Sequence, residues 1–176
     1  MDEHFSDPRL GRLYAYWRSK RTEGGPPRRR DLDPIEIPDL LPILHLIDVL
    51  WEPLRFRHRL VGTEVVRYMA RDVTGRMVDE SLYGPATDEI FDSLAMLVAE
   101  CRPYRRQSRL DWHDRHWLAM ESVELPLMGD AGEVVMILRG SSFTPLANRG
   151  HDHPLAVERL RLQALPIGPG SNDEFA

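Results

Sequence analysis

Residues 54–66 read Leu54-Arg55-Phe56-Arg57-His58-Arg59-Leu60-Val61-Gly62-Thr63-Glu64-Val65-Val66. Leu54, Phe56, His58 and Leu60 alternate with Arg55, Arg57 and Arg59, the period-two pattern of a strand with one face inward and the other wet. Gly62 closes this strand, and Thr63-Glu64 opens a short helix carrying Val65, Val66, Tyr68 and Met69.

Upstream, the apolar stretch from Ile43 to Trp51 reads as a second strand, joined to the first through a tight Glu52-Pro53 connection. Downstream, Asp72 to Gly75 makes a turn. A longer helix follows from about Thr87 to Arg102, with Asp88 and Glu89 in its first turn and Ile90, Phe91, Leu94, Leu97, Val98 and Cys101 along one apolar face. Pro103 ends it. Three strand segments then run from about Tyr104 to His113, Trp117 to Leu127 and Glu133 to Ser142, linked by an Asp114-Arg115 turn and the glycine-containing loop 128–132. This order specifies an α+β fold, an antiparallel sheet with helices on one face.

At the front, Asp7-Pro8 is a capping acid followed by proline, and Leu10, Leu13, Tyr14 and Trp17 form a helical stripe that must be buried on the sheet or on a second subunit. Residues 1–30 are thus a helix plus a basic linker containing Arg28, Arg29 and Arg30. Residues 31–147 form the main domain, with a turn or two of helix opening at Asp33-Pro34. Residues 148–176 hold a last helix from about Pro154 to Ala164 and a Gly- and Pro-rich tail expected to be mobile.

The 176-residue chain is 42% hydrophobic and 29% charged, an ordinary globular composition. A net charge of -5 speaks against nucleic acid as a partner, because phosphate binding needs a surplus of Lys and Arg on one surface. With Cys101 alone there is no intrachain disulfide and no multi-cysteine metal site, which suits the cytoplasm. The start Met1-Asp2-Glu3-His4 is unlike a secretory signal, and no apolar run has membrane-spanning length.

Several motifs together carry a family resemblance: Leu13-Tyr14-Ala15-Tyr16-Trp17, Asp33-Pro34-Ile35-Glu36-Ile37-Pro38 with Leu41-Pro42, and above all Phe56 to Val66 with Asp72-Val73-Thr74-Gly75. Over roughly residues 10 to 145 the chain resembles a PAS domain, and is similar to the single-domain bacterial PAS-like proteins. Ala70 stands where the resemblance leads one to expect glycine before Arg71-Asp72. The resemblance implies a PAS-like five-stranded antiparallel sheet whose concave face, closed by helices, encloses a sensor pocket, or whose outer face serves as a dimer surface. It does not fix a cofactor. No kinase, cyclase or helix-turn-helix signature is present, so output is expected to pass to a partner signalling protein, with a homodimer as the expected assembly.

Candidate pocket residues are Phe56, His58, Tyr68, Phe91, Trp112, Trp117, Met120 and Met136, because aromatic and methionine side chains adapt to a small apolar or aromatic ligand, or else fill a solid core. Candidate partner-binding residues are Arg55, Arg57 and Arg59, a basic row that Arg105 and Arg109 would extend, together with Leu13 and Trp17. An exposed sheet face carrying cross-strand ion pairs is the plainer reading of the arginine row. Charge reversal at Arg57 is expected to impair partner capture with stability unchanged.

His113 with His116 and His151 with His153 are close enough to be neighbours, but the first pair flanks a hairpin turn and the second lies in a polar loop, where histidines are usually solvated, so no metal is expected; His58 is the position for a haem ligand if there were one. The sequence has no Gly-x-Ser-x-Gly elbow, Walker loop, dinucleotide fingerprint or His-Glu-x-x-His. Cys101 reads as a small core hydrophobe. The expected function is therefore a sensory or protein-interaction module and not an enzyme. Two alternatives are an enzyme using His58 or His113 as base beside a carboxylate such as Asp111 or Asp114, and a ligand-free structural adaptor.

Overall fold

In the computed structural model, residues 5–22, 25–110, 115–145 and 159–161 are described, with backbone alone at 109–110, 115–117 and 159–161. Asp7 accepts a hydrogen bond from the Arg9 backbone N–H at 2.8 Å, and Pro8 sits in the first turn, so α1 (Pro8–Ser19) begins where the capping pair places it. Three short 3-10 turns follow, at Arg29–Asp31, Pro34–Glu36 and Leu41–Ile43. The chain then forms β1 (Leu44–Leu50), β2 (Arg55–Val61), α2 (Thr63–Met69), α3 (Glu80–Tyr83), α4 (Thr87–Glu100), β3 (Tyr104–Leu110), β4 (Arg115–Met128), β5 (Val134–Pro145) and β6 (Arg159–Arg161).

All neighbouring strands are antiparallel, in the order β2-β1-β5-β4-β3-β6. The first five strands are the expected sheet. The helix expected over residues 154–164 is corrected: its described part, Arg159–Arg161, is a strand on Tyr104–Arg106. Pairing there covers an edge of β3 that would otherwise present open N–H and C=O groups. The remainder of that segment and the tail lie outside the described residues.

The sheet is covered on both faces. Leu44, Leu46, Val123, Leu125, Leu127, Met136 and Leu138 meet Leu10, Leu13, Tyr14 and Trp17 of α1 on one side. Ile47, Val49, Phe56 and Ile137 meet Leu82, Leu94, Leu97 and Val98 of the helices α3 and α4 on the other. Trp17 is fully buried and its indole N–H donates to the Pro126 carbonyl at 2.9 Å. Gly140 makes this docking possible, since a Cβ there would lie 2.5 Å from Leu13 Cδ2. Leu13 and Trp17, expected as partner contacts, are therefore corrected to core residues, because the sheet of the same chain takes up the stripe. Arg9 fastens the start of α1 to α2 through two 2.8 Å bonds to Glu64.

One face assignment changes within β2. Leu46 pairs with Leu60 but Ile47 pairs with His58, so Arg59 is the extra residue of a bulge. Directly opposite residues share a face. Leu60 accordingly follows Leu46 away from Phe56 and His58, and is 45% exposed.

Candidate functional site

Between the sheet and helices α2 to α4 lies a cavity of about 270 Å³. Strand alternation aims one set of side chains into it: His45 from β1, Arg139, Ser141 and Phe143 from β5, Met120 and Glu124 from β4, and Arg106 and Ser108 from β3. Val65 and Met69 of α2 and Ile90 of α4 supply an apolar roof, with Arg71, Tyr83 and Glu89 at the sides.

Its floor is charged. Glu124 is 1% exposed and lies directly across the ladder from Arg139, with Arg106 at the diagonal position on β3. One carboxylate oxygen accepts from Arg106 Nη2 at 3.1 Å, and the other pairs with Arg139 Nη2 at 2.9 Å. Burial pushes the Glu124 carboxyl up, but the two guanidiniums outweigh it and hold the group below the ordinary carboxylate range. Two largely buried arginines thus share one glutamate.

Beside this cluster runs a neutral hydrogen-bonded chain. His45 Nε2 lies 2.6 Å from His58 Nδ1, and His58 Nε2 lies 2.8 Å from the Tyr83 hydroxyl. Burial pushes the His45 imidazole well down, aided by the positive charge of Arg139. The same two causes bring His58 to about 3. Burial raises the Tyr83 phenol. Both imidazoles are therefore uncharged at neutral pH, and the chain can be directed either way: Tyr83 to His58 to His45, or the reverse.

A family model described as PAS domain matches residues 5–141. The chain belongs to the PAS domain family. No curated protein and no solved structure matches it. The matched stretch runs from just before α1 to the middle of β5 and so takes in every residue of both clusters.

Within this PAS domain the expected pocket residues are dispersed. Met120 lines the cavity, and Tyr68 stacks at 4.8 Å on Phe143, which also lines it. His58 stands behind the lining, bonded to His45 and Tyr83. Phe56 is wholly buried against the partly buried Phe91 of α4, ring centroids 5.2 Å apart, and both belong to the core packing between sheet and helix. Met136 is corrected: its position on β5 points it to the α1 side, away from the cavity. Trp112, Asp111, His113 and Asp114 lie outside the described residues, as do His151, His153 and the side chains of His116 and Trp117. Among the described residues no group of three or more His, Cys, Asp or Glu is placed to hold a metal ion.

The basic row is partly spent on intramolecular pairing. Arg57 donates to Asp48 at 2.8 Å and Arg59 lies 3.7 Å from the same carboxylate, whereas Arg55 is exposed. Reversing Arg57 would set a carboxylate against buried Asp48, so unchanged stability is no longer the expectation. Arg105 does not extend the row. It sits on β3, four strands along the sheet from β2, and pairs with Glu121. The side chain of Arg109 is outside the described residues. Cys101 occupies the left-handed position after α4, half-buried against Met128, and burial raises its thiol, the opposite of an activated one. No helix among the described residues is long and apolar enough to cross a membrane.

Sequence reasoning missed Arg106, Glu124, Arg139, His45 and Tyr83. The signal that could have found three of them is a charged residue at the inward phase of each of three successive strands.

Proposed function

We propose that this PAS domain is a sensory module that binds a small molecule in the cavity between the sheet and helices α2 to α4, and passes its occupancy to a partner protein or a second copy of the chain. The observation that supports this reading is the cavity itself, with Val65, Met69 and Ile90 over it on the helix side and Arg106, Glu124 and Arg139 on its sheet floor. A filled core would have no reason to bury an unequal set of charges. A more open groove of about 460 Å³, lined by Leu32, Ile37, Leu41 and Leu60, lies on the α1 side and lacks such a floor. The small, largely apolar ligand expected from sequence fits the cavity roof, and the charged floor asks in addition for a polar group.

Catalysis through His58 has less support. Both of its ring nitrogens are engaged, one by His45 and one by Tyr83, so no free lone pair faces a substrate proton.

Native mass spectrometry of the full chain purified without additives, compared with its denatured mass, tests the proposal. A denaturation-labile extra mass supports it, and the same spectrum reads the oligomeric state. A bare mass, unchanged across a panel of small-molecule probes, counts against it and favours an interaction module that works without ligand.

A further inference from the structure

Among the described residues bordering the cavity, Arg71 is partnered, donating to the Leu82 carbonyl at 3.0 Å, and Glu89 is exposed, which leaves Arg106 and Arg139 against the buried Glu124. The other described titratable groups bordering it do not redress this. His45 and Tyr83 are neutral, as is His58 behind them, and Ser108 and Ser141 add only hydroxyls. The floor thus carries one positive charge more than it has negative ones, and Glu124 meets a single terminal nitrogen of each neighbouring guanidinium. Arg139 Nε is buried with no hydrogen-bond partner among the described residues. A guanidinium has five N–H donors, so two of them present far more donors than one carboxylate can accept. An uncompensated buried cation is costly, and such a cost is removed when an anion arrives.

We infer that the cavity takes a small monoanion, a carboxylate on a short apolar body, with the carboxylate on Arg106 and Arg139 and the body against Val65, Ile90 and Phe143. This rests on the ligand-binding reading above and narrows it to a chemical class. The planar guanidinium fork matches a carboxylate in two parallel bonds. One surplus positive charge calls for one negative charge, whereas a phosphate dianion would leave a buried negative charge in its turn. Liquid water takes about 30 Å³ per molecule, so 270 Å³ holds roughly nine water-sized groups, the size of a short-chain or single-ring acid.

Isothermal titration of the full chain with hexanoate, 1-hexanol, hexylammonium and inorganic phosphate tests the inference. Hexanoate is expected to bind at least about tenfold tighter than hexanol, the factor carried by one charge-assisted hydrogen-bond pair, and hexylammonium not at all. The variant Arg139→Gln leaves Arg106 and Glu124 as a balanced pair, and its hexanoate-to-hexanol ratio should fall toward one. Hexanol binding as tightly as hexanoate to the wild type would overturn the monoanion while leaving the cavity reading intact. Phosphate binding tightest would overturn the single-charge argument. Failure of every probe would sink both this inference and the cavity reading. The wild-type series needs no variant to fold.

Discussion

Glu124→Gln removes the one carboxylate between Arg106 and Arg139 and leaves two largely buried guanidiniums facing each other. Breaking a buried ion pair by deleting one partner costs about 3–5 kcal/mol, because the charge left behind is neither solvated nor matched. Arg139→Gln is the informative contrast. It leaves Glu124 paired with Arg106 at 3.1 Å and removes the surplus charge, so it should cost under about 2 kcal/mol, near a lost hydrogen bond. Urea titration at pH 7, followed by tryptophan fluorescence, reads both variants. With a slope of roughly 2 kcal/mol per molar urea, Glu124→Gln should lower the midpoint by about 2 M and Arg139→Gln by under about 1 M. The pH dependence adds a second check. The Glu124 carboxyl titrates lower folded than its ordinary 4.5, so its contribution is complete above that value and is lost as pH falls through the folded value. The variant should lack this acid-side loss. Equal midpoint shifts for the two variants would refute the reasoning, since they would show that the cluster holds no surplus positive charge.

Three further outcomes follow from the fold. Trp17→Ala should cost about 3–5 kcal/mol in the same titration, because the side chain is 1% exposed and its N–H is bonded to Pro126; a loss under about 1 kcal/mol would mean α1 is not part of the domain core. Ala70→Gly should raise stability by about 1 kcal/mol, since Ala70 caps α2 at φ 53°, ψ 23°, where a Cβ is unfavourable; a lower midpoint would contradict this. His58 should remain neutral at pH 5 in imidazole NMR, as its folded value of about 3 lies below the unfolded 6.5. Stability from this group is then complete above about 6.5 and declines as pH falls toward the folded value. An imidazole titrating near 6.5 would show that the chain to Tyr83 does not exclude water.

Local chemistry made much of the frame readable. Asp7-Pro8 set the start of α1, Thr63 and Met69 bound α2 as expected, and the apolar face of α4 was visible from Ile90 to Val98. The Gly62 of the family motif has a packing reason, since a Cβ there would lie 2.3 Å from the Pro42 carbonyl oxygen. Two features escaped for want of local signal. The four residues of α3 are too short to show a period, and with them went Tyr83, the third member of the histidine chain. The bulge at Arg59 belongs to the register between β1 and β2, which neither strand encodes alone.

The charged floor escaped for a different reason. In Val123-Glu124-Leu125-Pro126-Leu127 the alternation marks one apolar face and assigns Glu124 to the other, which a half-exposed strand would give to water. That inference holds only if the sheet has one covered face. Here α1 takes the face of Val123, Leu125 and Leu127, and the helix-covered cavity lies over the opposite face. The residues alternating with an α1-facing row on β3, β4 and β5 are therefore buried whatever their polarity. Once α1 is assigned to the sheet, Arg106, Glu124 and Arg139 become the place to look, because a domain that buries charge in unequal numbers leaves part of its electrostatics for a ligand to complete.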